Sequence, residues 1–255
     1  MTFVAKSNRK PPPATAVEKW WVVATAWGYC AMVWRDGADD SGRAARPGHA
    51  VLLKIVAAQR NLSALCRQMR RDFPQAQRQR GHLRPAGRLT NGCNRVVLLA
   101  QFLRDYYASD RGGSSWDVSI WAKWRPHLEM GGLSNFAQSV LRLTTRIPPG
   151  RTLTYGELAA NLGQPGAARA VGGALAANPF PILIPCHRVL GKSGQLTGFS
   201  APGGVATKKA MLAREAKLTG NVRRGSVGRL AAPDAVCTAL SGERTAVGFK
   251  SCPRS

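Results

Sequence analysis

Two stretches near the start of the chain carry the two-residue periodicity of strands. Trp21-Val22-Val23-Ala24-Thr25-Ala26-Trp27 is followed, across Gly28, by Tyr29 to Trp34, and the pair predicts a β-hairpin. From Ala50 to Phe73 the apolar residues Leu52, Ile55, Leu62, Leu65 and Met69 fall at roughly helical spacing, so this stretch reads as a helix. Loops are expected over Asp36 to Pro47 and over Gln75 to Gly92, the latter strongly basic, and a further helix over Val96 to Tyr107. All seven tryptophans lie before residue 125, whereas Gly131 to Ala216 has none and is rich in Ala, Gly and Leu. That contrast divides the chain into two modules, at about 16–127 and 131–216. The first carries no catalytic pattern and reads as a supporting α/β domain.

In the second module, Phe136, Val140, Leu141 and Leu143 mark a helix over Asn135 to Thr145, stopped by Ile147-Pro148-Pro149-Gly150. Thr154 opens a short helix through Leu162, with Glu157 three residues on as a capping-box partner. Gly163-Gln164-Pro165-Gly166 predicts a tight turn, and a second helix follows from Ala167 to about Ala177. Two short helices joined by such a turn have the outline of a helix-turn-helix, although many helical hairpins share it. In the second of them Val171 and Leu175 face the core, while Ala168, Ala170, Gly172 and Gly173 leave a face without bulk. Such a face suits close approach to another surface, including a minor groove only about 6 Å wide. Arg169 is its one cation. The short apolar run Phe180-Pro181-Ile182-Leu183-Ile184 is consistent with a buried strand.

Charge changes this picture. Lys and Arg number 37 against 13 Asp and Glu, a formal +24. Such an excess favours a polyanionic partner, because each neutralised phosphate releases condensed counterions. The second module alone carries nine Lys and Arg against two acids, so its basicity does not depend on the tail from Lys217 onward, which has seven against two and is expected to be disordered. The six cysteines form no CxxC pair, and their spacing suggests neither a zinc site nor a disulfide scaffold. Residues 1–15 are polar and proline-rich and read as a flexible N-terminus. The longest apolar run, Trp20 to Trp34, is short of the roughly 20 residues a membrane helix needs. A soluble intracellular protein is expected, cytoplasmic if bacterial and nuclear if eukaryotic, with no membrane partner.

The chemistry concentrates after Asn178-Pro179, at Pro185-Cys186-His187-Arg188-Val189. A thiolate is the reactive form of cysteine, and burial works against it, so a buried nucleophilic cysteine needs a compensating neighbour. His187 is such a neighbour if a carboxylate orients it. Within 131–216 the only acids are Glu157, which reads as a cap, and Glu215, which is the candidate orienter.

Taken in order, Tyr155-Gly-Glu-Leu-Ala, Ala-Ala-Arg169-Ala-Val-Gly-Gly-Ala, Asn178-Pro, Ile-Pro-Cys186-His187-Arg188-Val189, Gly-Gly-Val-Ala-Thr-Lys208 and Ala-Arg-Glu215 closely resemble the O6-alkylguanine-DNA alkyltransferase family, the methylated-DNA–protein-cysteine methyltransferases. The resemblance is dense over about 132–216. It implies an α+β fold: an N-terminal α/β domain with an antiparallel sheet, and a mostly helical C-terminal domain bearing a winged-helix-like helix-turn-helix. It implies stoichiometric transfer of an alkyl group from O6-alkylguanine, and from O4-alkylthymine, in double-stranded DNA to Cys186. His187 would be the general base through a water, Glu215 would hold the histidine, and Asn178 would brace the turn carrying the cysteine. Arg169 would fill the gap left by the flipped nucleotide, on a minor-groove face including Ala168 and Gly172. Tyr155 would press on the adjacent phosphate and donate a proton to guanine. Cys186, Val189, Phe199, Ser200 and Lys208 would surround the flipped base. No metal or organic cofactor is needed for this chemistry, and a monomer is expected.

One departure stands out. The family commonly has Tyr and then Ser-Gly-Gly where this chain reads Phe199-Ser200-Ala201-Pro202-Gly203-Gly204, two residues longer over the pocket. Two other readings compete with self-alkylation: a non-catalytic sensor of alkylated DNA, against which the presence of Cys186 argues, and a thiol hydrolase using Cys186 and His187.

Overall fold

The computed structural model describes residues 17–36, 50–79, 94–108, 124–219 and 223–224. The expected N-terminal flexibility, the loop at 37–47, most of that at 75–92 and the tail beyond 224 lie outside them.

The predicted hairpin is present as β1 (Glu18–Thr25) and β2 (Gly28–Asp36), paired antiparallel from Glu18 opposite Arg35 to Thr25 opposite Gly28. Gly28 closes the turn at φ +121°, and a Cβ there would lie 2.4 Å from the Gln59 carbonyl oxygen, so both conformation and space demand glycine. On the far side of β2 lies β3 (Ala50–Gln59), also antiparallel, and the short β4 (Gln77–Arg78) runs parallel to β1, giving the order β3-β2-β1-β4.

The strand β3 corrects the expected continuous helix from Ala50 to Phe73. Its register with β2 shifts between Val33 and Trp34, so that Val33 faces Lys54 and Trp34 faces Leu52. Leu53 is the extra residue of a bulge. Leu52 and Ile55, three apart, therefore share one face of the sheet, while Leu53 and Val56 share the other. A bulged strand buried on both faces imitates a helical spacing. The helix begins only at α1 (Leu62–Asp72), where the Asn61 side chain caps the Ala64 amide at 2.9 Å. Leu65 and Met69 of α1 pack on the face bearing Trp20, Val33 and Leu53. The opposite face, with Val23, Cys30 and Met32, is covered by α2 (Asn94–Tyr107) through Leu99, Leu103, Tyr106 and Tyr107.

That second core continues without a break into the C-terminal part. The β3 edge is not left open there: the Glu129 amide donates to the Leu52 carbonyl at 2.9 Å and the Ile55 amide to the Pro179 carbonyl at 2.8 Å. Helix α3 (Asn135–Thr144) is capped by Ser134 and buries Val140, Leu141 and Leu143 as predicted. Strand β5 (Arg151–Thr154), which sequence patterning does not reveal, leads into α4 (Tyr155–Asn161). The predicted capping box is formed: the Glu157 amide donates to Thr154 Oγ1 at 3.1 Å and the Thr154 amide to Glu157 Oε2 at 2.6 Å. A turn leads to α5 (Ala168–Ala176), which buries Val171 and Leu175.

The expected strand at 180–184 is instead a tight turn. Ile182 adopts φ +76°, Pro181 and Ile184 form only an isolated bridge, and the Ile184 amide donates back to the Phe180 carbonyl at 2.8 Å. Pro181 and Pro185 lack the amide hydrogens a ladder requires. Beyond it, β6 (Val189–Leu190) pairs parallel with β5, as does β7 (Arg223–Arg224). The last helix, α6 (Gly204–Thr219), runs three residues past the expected domain end at 216. Its buried residues are Lys208, Met211 and Glu215. An inward stripe that is two-thirds charged gives hydrophobic periodicity nothing to detect. Among the described residues no helix is long and apolar enough to cross a membrane.

Candidate functional site

Cys186, His187 and Arg188 form a single 3-10 turn between the 178–185 segment and β6. Asn178 draws that segment together from inside. Its Oδ1 accepts from the Phe180 amide at 2.9 Å, and its Nδ2 donates to the Ile184 carbonyl at 3.0 Å. The same side chain hydrogen-bonds the Cys186 thiol. The turn in turn fixes the thiol: the Cys186 amide donates to the Ile184 carbonyl at 2.8 Å.

Behind the cysteine lies a buried charged cluster. His187 and Glu215 are fully buried, with His187 Nε2 2.7 Å from Glu215 Oε1. Arg188 clamps the same carboxylate, donating from Nε to Oε2 and from Nη2 to Oε1, each at 2.9 Å, while its Nη1 donates to the Ile147 carbonyl. The Gly150 amide adds a 3.3 Å contact to Oε2. Burial alone would raise the Glu215 pKa; His187 and Arg188 overcome that and hold it down at about 2. The carboxylate is therefore an acceptor at neutral pH, and His187 Nε2 must be the donor. Burial also lowers the His187 pKa, against the pull of Glu215, so the imidazole is neutral at neutral pH. The remaining lone pair then sits on Nδ1, a buried atom with no protein hydrogen-bond partner. A base with a free lone pair stands next in sequence to the thiol.

Cys186 is buried, and burial raises the pKa of its thiol, opposed by the Asn178 hydrogen bond and by the charge of Lys208. Lys208 is buried beneath Tyr155. It donates to the Thr197 carbonyl at 3.0 Å and lies 5.7 Å from the centre of the tyrosine ring. Tyr155 donates its hydroxyl to the same carbonyl at 3.3 Å, and burial keeps its pKa above the usual phenol value.

A cavity of about 530 Å³ opens in front of Cys186. Tyr155, Ala168, Arg169 and Gly172 line one wall, and Phe199 and Ser200 another. Seven of the twelve residues expected from the sequence thus meet around one space. The α5 wall is bare: a Cβ at Gly172 would make only ordinary contact with the Tyr155 ring, at 3.9 Å, and one at Gly173 would meet nothing within 4 Å. The fold does not require glycine at either position. His187, Glu215 and Asn178 support the site from behind, whereas Val189 is buried in the core as part of β6, and neither it nor Lys208 lines the cavity.

Residues 135–217 match the protein family described as the DNA binding domain of 6-O-methylguanine DNA methyltransferase. This part of the chain belongs to that family. The methylated-DNA–protein-cysteine methyltransferase of Salmonella typhimurium is 49% identical over 87 residues, 34% of this chain and 50% of that protein. The protein of the same name from Mycobacterium bovis is 50% identical over 82 residues, 32% of this chain and 48% of its own. The chain spans about half the length of the curated relatives it matches. Among solved structures, the O6-methylguanine methyltransferase of Mycobacterium tuberculosis is 26% identical, with 79% of this chain and 94% of that one covered, at a TM-score of 0.47.

Two residues around this site escape a motif reading. Arg188 stands inside the Pro-Cys-His-Arg-Val motif, yet its role as the clamp on Glu215 emerges only once both are buried; a lone acid expected to serve a buried histidine was the available signal. Tyr106, from α2 of the first module, places its hydroxyl 3.5 Å from His187 Nε2 and meets the imidazole edge-on at 6.3 Å between ring centres. Nothing local in the α2 sequence announces that contact.

Proposed function

We propose that this protein repairs DNA directly, moving the alkyl group of O6-alkylguanine, and of O4-alkylthymine, in double-stranded DNA onto Cys186. The observation that carries this reading is the cavity Cys186 shares with Tyr155, Arg169 and Ser200, with a neutral buried imidazole behind the thiol. The thiol proton passes through a water to His187 Nδ1, and Glu215 stabilises the imidazolium that results. The sulfur attacks the alkyl carbon, the S–C bond forms, the C–O bond breaks, and its electron pair stays on the guanine oxygen. Tyr155 gives the leaving purine its proton, and the proton from His187 restores the balance through solvent. The thioether left on Cys186 has no residue beside it able to cleave it, so each molecule acts once.

Reaching a base inside a duplex requires extruding it, at a cost of a few kcal/mol. In this reading α4 and α5 form a helix-turn-helix whose bare α5 face enters the minor groove, and Arg169, exposed at its rim, fills the vacated stack. The unit 131–216, extended to Thr219 by α6, is the DNA-binding transferase domain, the sheet module at 16–127 supports it, and the protein acts as a monomer.

Intact-mass measurement after incubation with a duplex containing O6-methylguanine tests the proposal. One methyl mass per protein, mapped to the Cys186 peptide and absent from Cys186→Ala, is the expected result. Tight binding without transfer would favour a lesion sensor, and turnover of a thioester would favour a hydrolase; either would overturn it.

A further inference from the structure

Tyr106, on the last turn of α2, reaches His187 from the first module. It is fully buried, its hydroxyl lies 3.5 Å from His187 Nε2, and the two rings meet edge-on with centres 6.3 Å apart. The sheet side holds it in turn. Its neighbour Tyr107 meets it edge-on at 5.0 Å, packs against Trp27 at 5.2 Å, and accepts from the Ala58 amide of β3. An aromatic stack anchored on the hairpin and on β3 therefore places the Tyr106 hydroxyl.

Where the protons sit decides what that hydroxyl does. Glu215 is ionised, so Nε2 carries the hydrogen that Oε1 accepts at 2.7 Å. Tyr106 keeps its own proton, because burial and the nearby Glu215 charge push its pKa well above the ordinary phenol value. Two hydrogens cannot point at each other, so a lone pair of the phenol oxygen faces Nε2–H. That hydrogen then has two acceptors, a short one on Glu215 and a longer one on Tyr106. A second acceptor resists rotation of the imidazole, and it stabilises the positive charge that reaches Nε2–H once Nδ1 takes a proton. Other charges act on the same pair of rings. Glu215 favours the imidazolium, whereas Arg188 of the same turn and Lys208 of α6 oppose it. Arg214, also on α6, acts on Tyr106 together with Arg188 and favours loss of the phenol proton, against burial, Glu215 and Tyr107.

We propose that Tyr106 is a positioning residue for alkyl transfer: its hydroxyl oxygen, as second acceptor of His187 Nε2–H, holds the imidazole with its Nδ1 lone pair free for the thiol proton and stabilises the imidazolium that forms. No bond is made or broken at Tyr106, which keeps its own proton throughout. The inference rests on Cys186 being the alkyl acceptor and His187 its base. It gives α2 of the first module one residue that affects the rate as well as the fold.

Tyr106→Phe keeps the ring and removes only the hydroxyl. Single-turnover transfer from a duplex containing O6-methylguanine, followed on the full chain from about pH 5 to about pH 8 where histidine titrates, tests the inference. The expected result is a rate near neutrality lowered about tenfold, part of the roughly hundredfold or more that a general base supplies. The acid limb of the profile should also move to lower pH. That limb reports protonation of His187, and losing an acceptor from Nε2–H makes the imidazolium harder to form. The substitution alters none of Glu215, Arg188, Lys208 and Arg214, so the movement belongs to the hydroxyl. Tyr107→Phe, which removes the neighbouring hydroxyl from the same core, should leave both rate and limb at their wild-type values. A wild-type rate in Tyr106→Phe, a lowered rate with the limb in place, or the same movement in Tyr107→Phe would each overturn this inference alone. Ortho-fluorotyrosine at position 106 keeps the hydroxyl but weakens it as an acceptor. It should move the limb in the same direction by less, which keeps the test valid if Tyr106→Phe does not fold. Absence of methyl transfer by the wild-type protein would overturn the proposed function instead.

Discussion

The two halves of this molecule bury different things. Between Trp20 and Tyr107 the fully buried side chains are apolar or tyrosine, and the Tyr107 hydroxyl there accepts from the Ala58 amide at 3.1 Å. Among the described residues every buried polar or charged side chain other than tyrosine lies from Thr144 to Glu215: Thr144, Thr145, Thr152, His187, Arg188, Lys208 and Glu215. Two buried thiols make the same contrast. Burial drives the Cys30 pKa far above the ordinary value, with only a hydrogen bond from Tyr107 opposing it. At Cys186 burial has the same sign, but Asn178 and the Lys208 ammonium oppose it, and a base stands behind. The sheet module gains stability from its core. The C-terminal part holds ions in low dielectric, which is costly unless each is paired, and that cost is accepted where chemistry needs a proton acceptor and a held carboxylate.

Substitutions can break or sharpen this contrast. Cys186→Ala should abolish transfer completely while Cys30→Ala leaves it intact, as read by mass spectrometry of the alkylated protein; loss of transfer in Cys30→Ala with its fold preserved would erase the distinction between the thiols. Glu215→Ala leaves Arg188 and His187 buried and uncompensated, and should cost about 3–5 kcal/mol in denaturant unfolding as well as at least about a hundredfold in transfer rate. Leu99→Ala in the sheet module should lower stability by about 2–5 kcal/mol through a cavity, yet leave the rate of the folded fraction unchanged. Equal rate losses for the two would mean that the sheet module also holds the chemistry.

Acid should act through the charged cluster. His187 and Glu215 both have folded-state pKa values below their unfolded ones, so the unfolded chain binds more protons as pH falls. Stability contributed by His187 is complete above about 6.5 and declines below it; that from Glu215 is complete above about 4.5 and is lost as pH falls toward about 2. Denaturant midpoints measured from neutrality down to about pH 2 should therefore fall, and the part of the fall below about pH 4.5 should be missing in Glu215→Gln, which has no carboxylate to titrate. The smallest effect belongs to Asn61→Ala, which removes the α1 cap and should cost about 1 kcal/mol with no change in transfer.

Much of the C-terminal site was legible because its parts are local signatures. The capping box at Thr154 and Glu157, the Gly/Pro turn after Leu162 and the Pro-Cys-His-Arg-Val run each depend on near neighbours. Glu215 could be singled out because only two acids occur in its module and Glu157 was already a cap. What failed depended on contacts distant in sequence. Leu52 and Ile55 looked helical because a bulge against β2 shifts the strand register between them. Residues 180–184 looked like a strand because apolarity reports burial, not backbone shape, and two prolines with a left-handed Ile182 bend them into a turn. Helix α6 was hidden because the face it buries is made of Lys208, Met211 and Glu215.

The order of residues along the chain therefore determined which groups could do chemistry: one cysteine beside one histidine, one acid free to serve it, and a helix without bulk ahead of them. Tertiary structure decided how those groups are poised. Arg188 turned back on Glu215 and Tyr106 brought to His187 from another module both join residues far apart in sequence. Burial then sets their protonation, since desolvation depends on what surrounds a group in space and has no expression in the residues on either side of it.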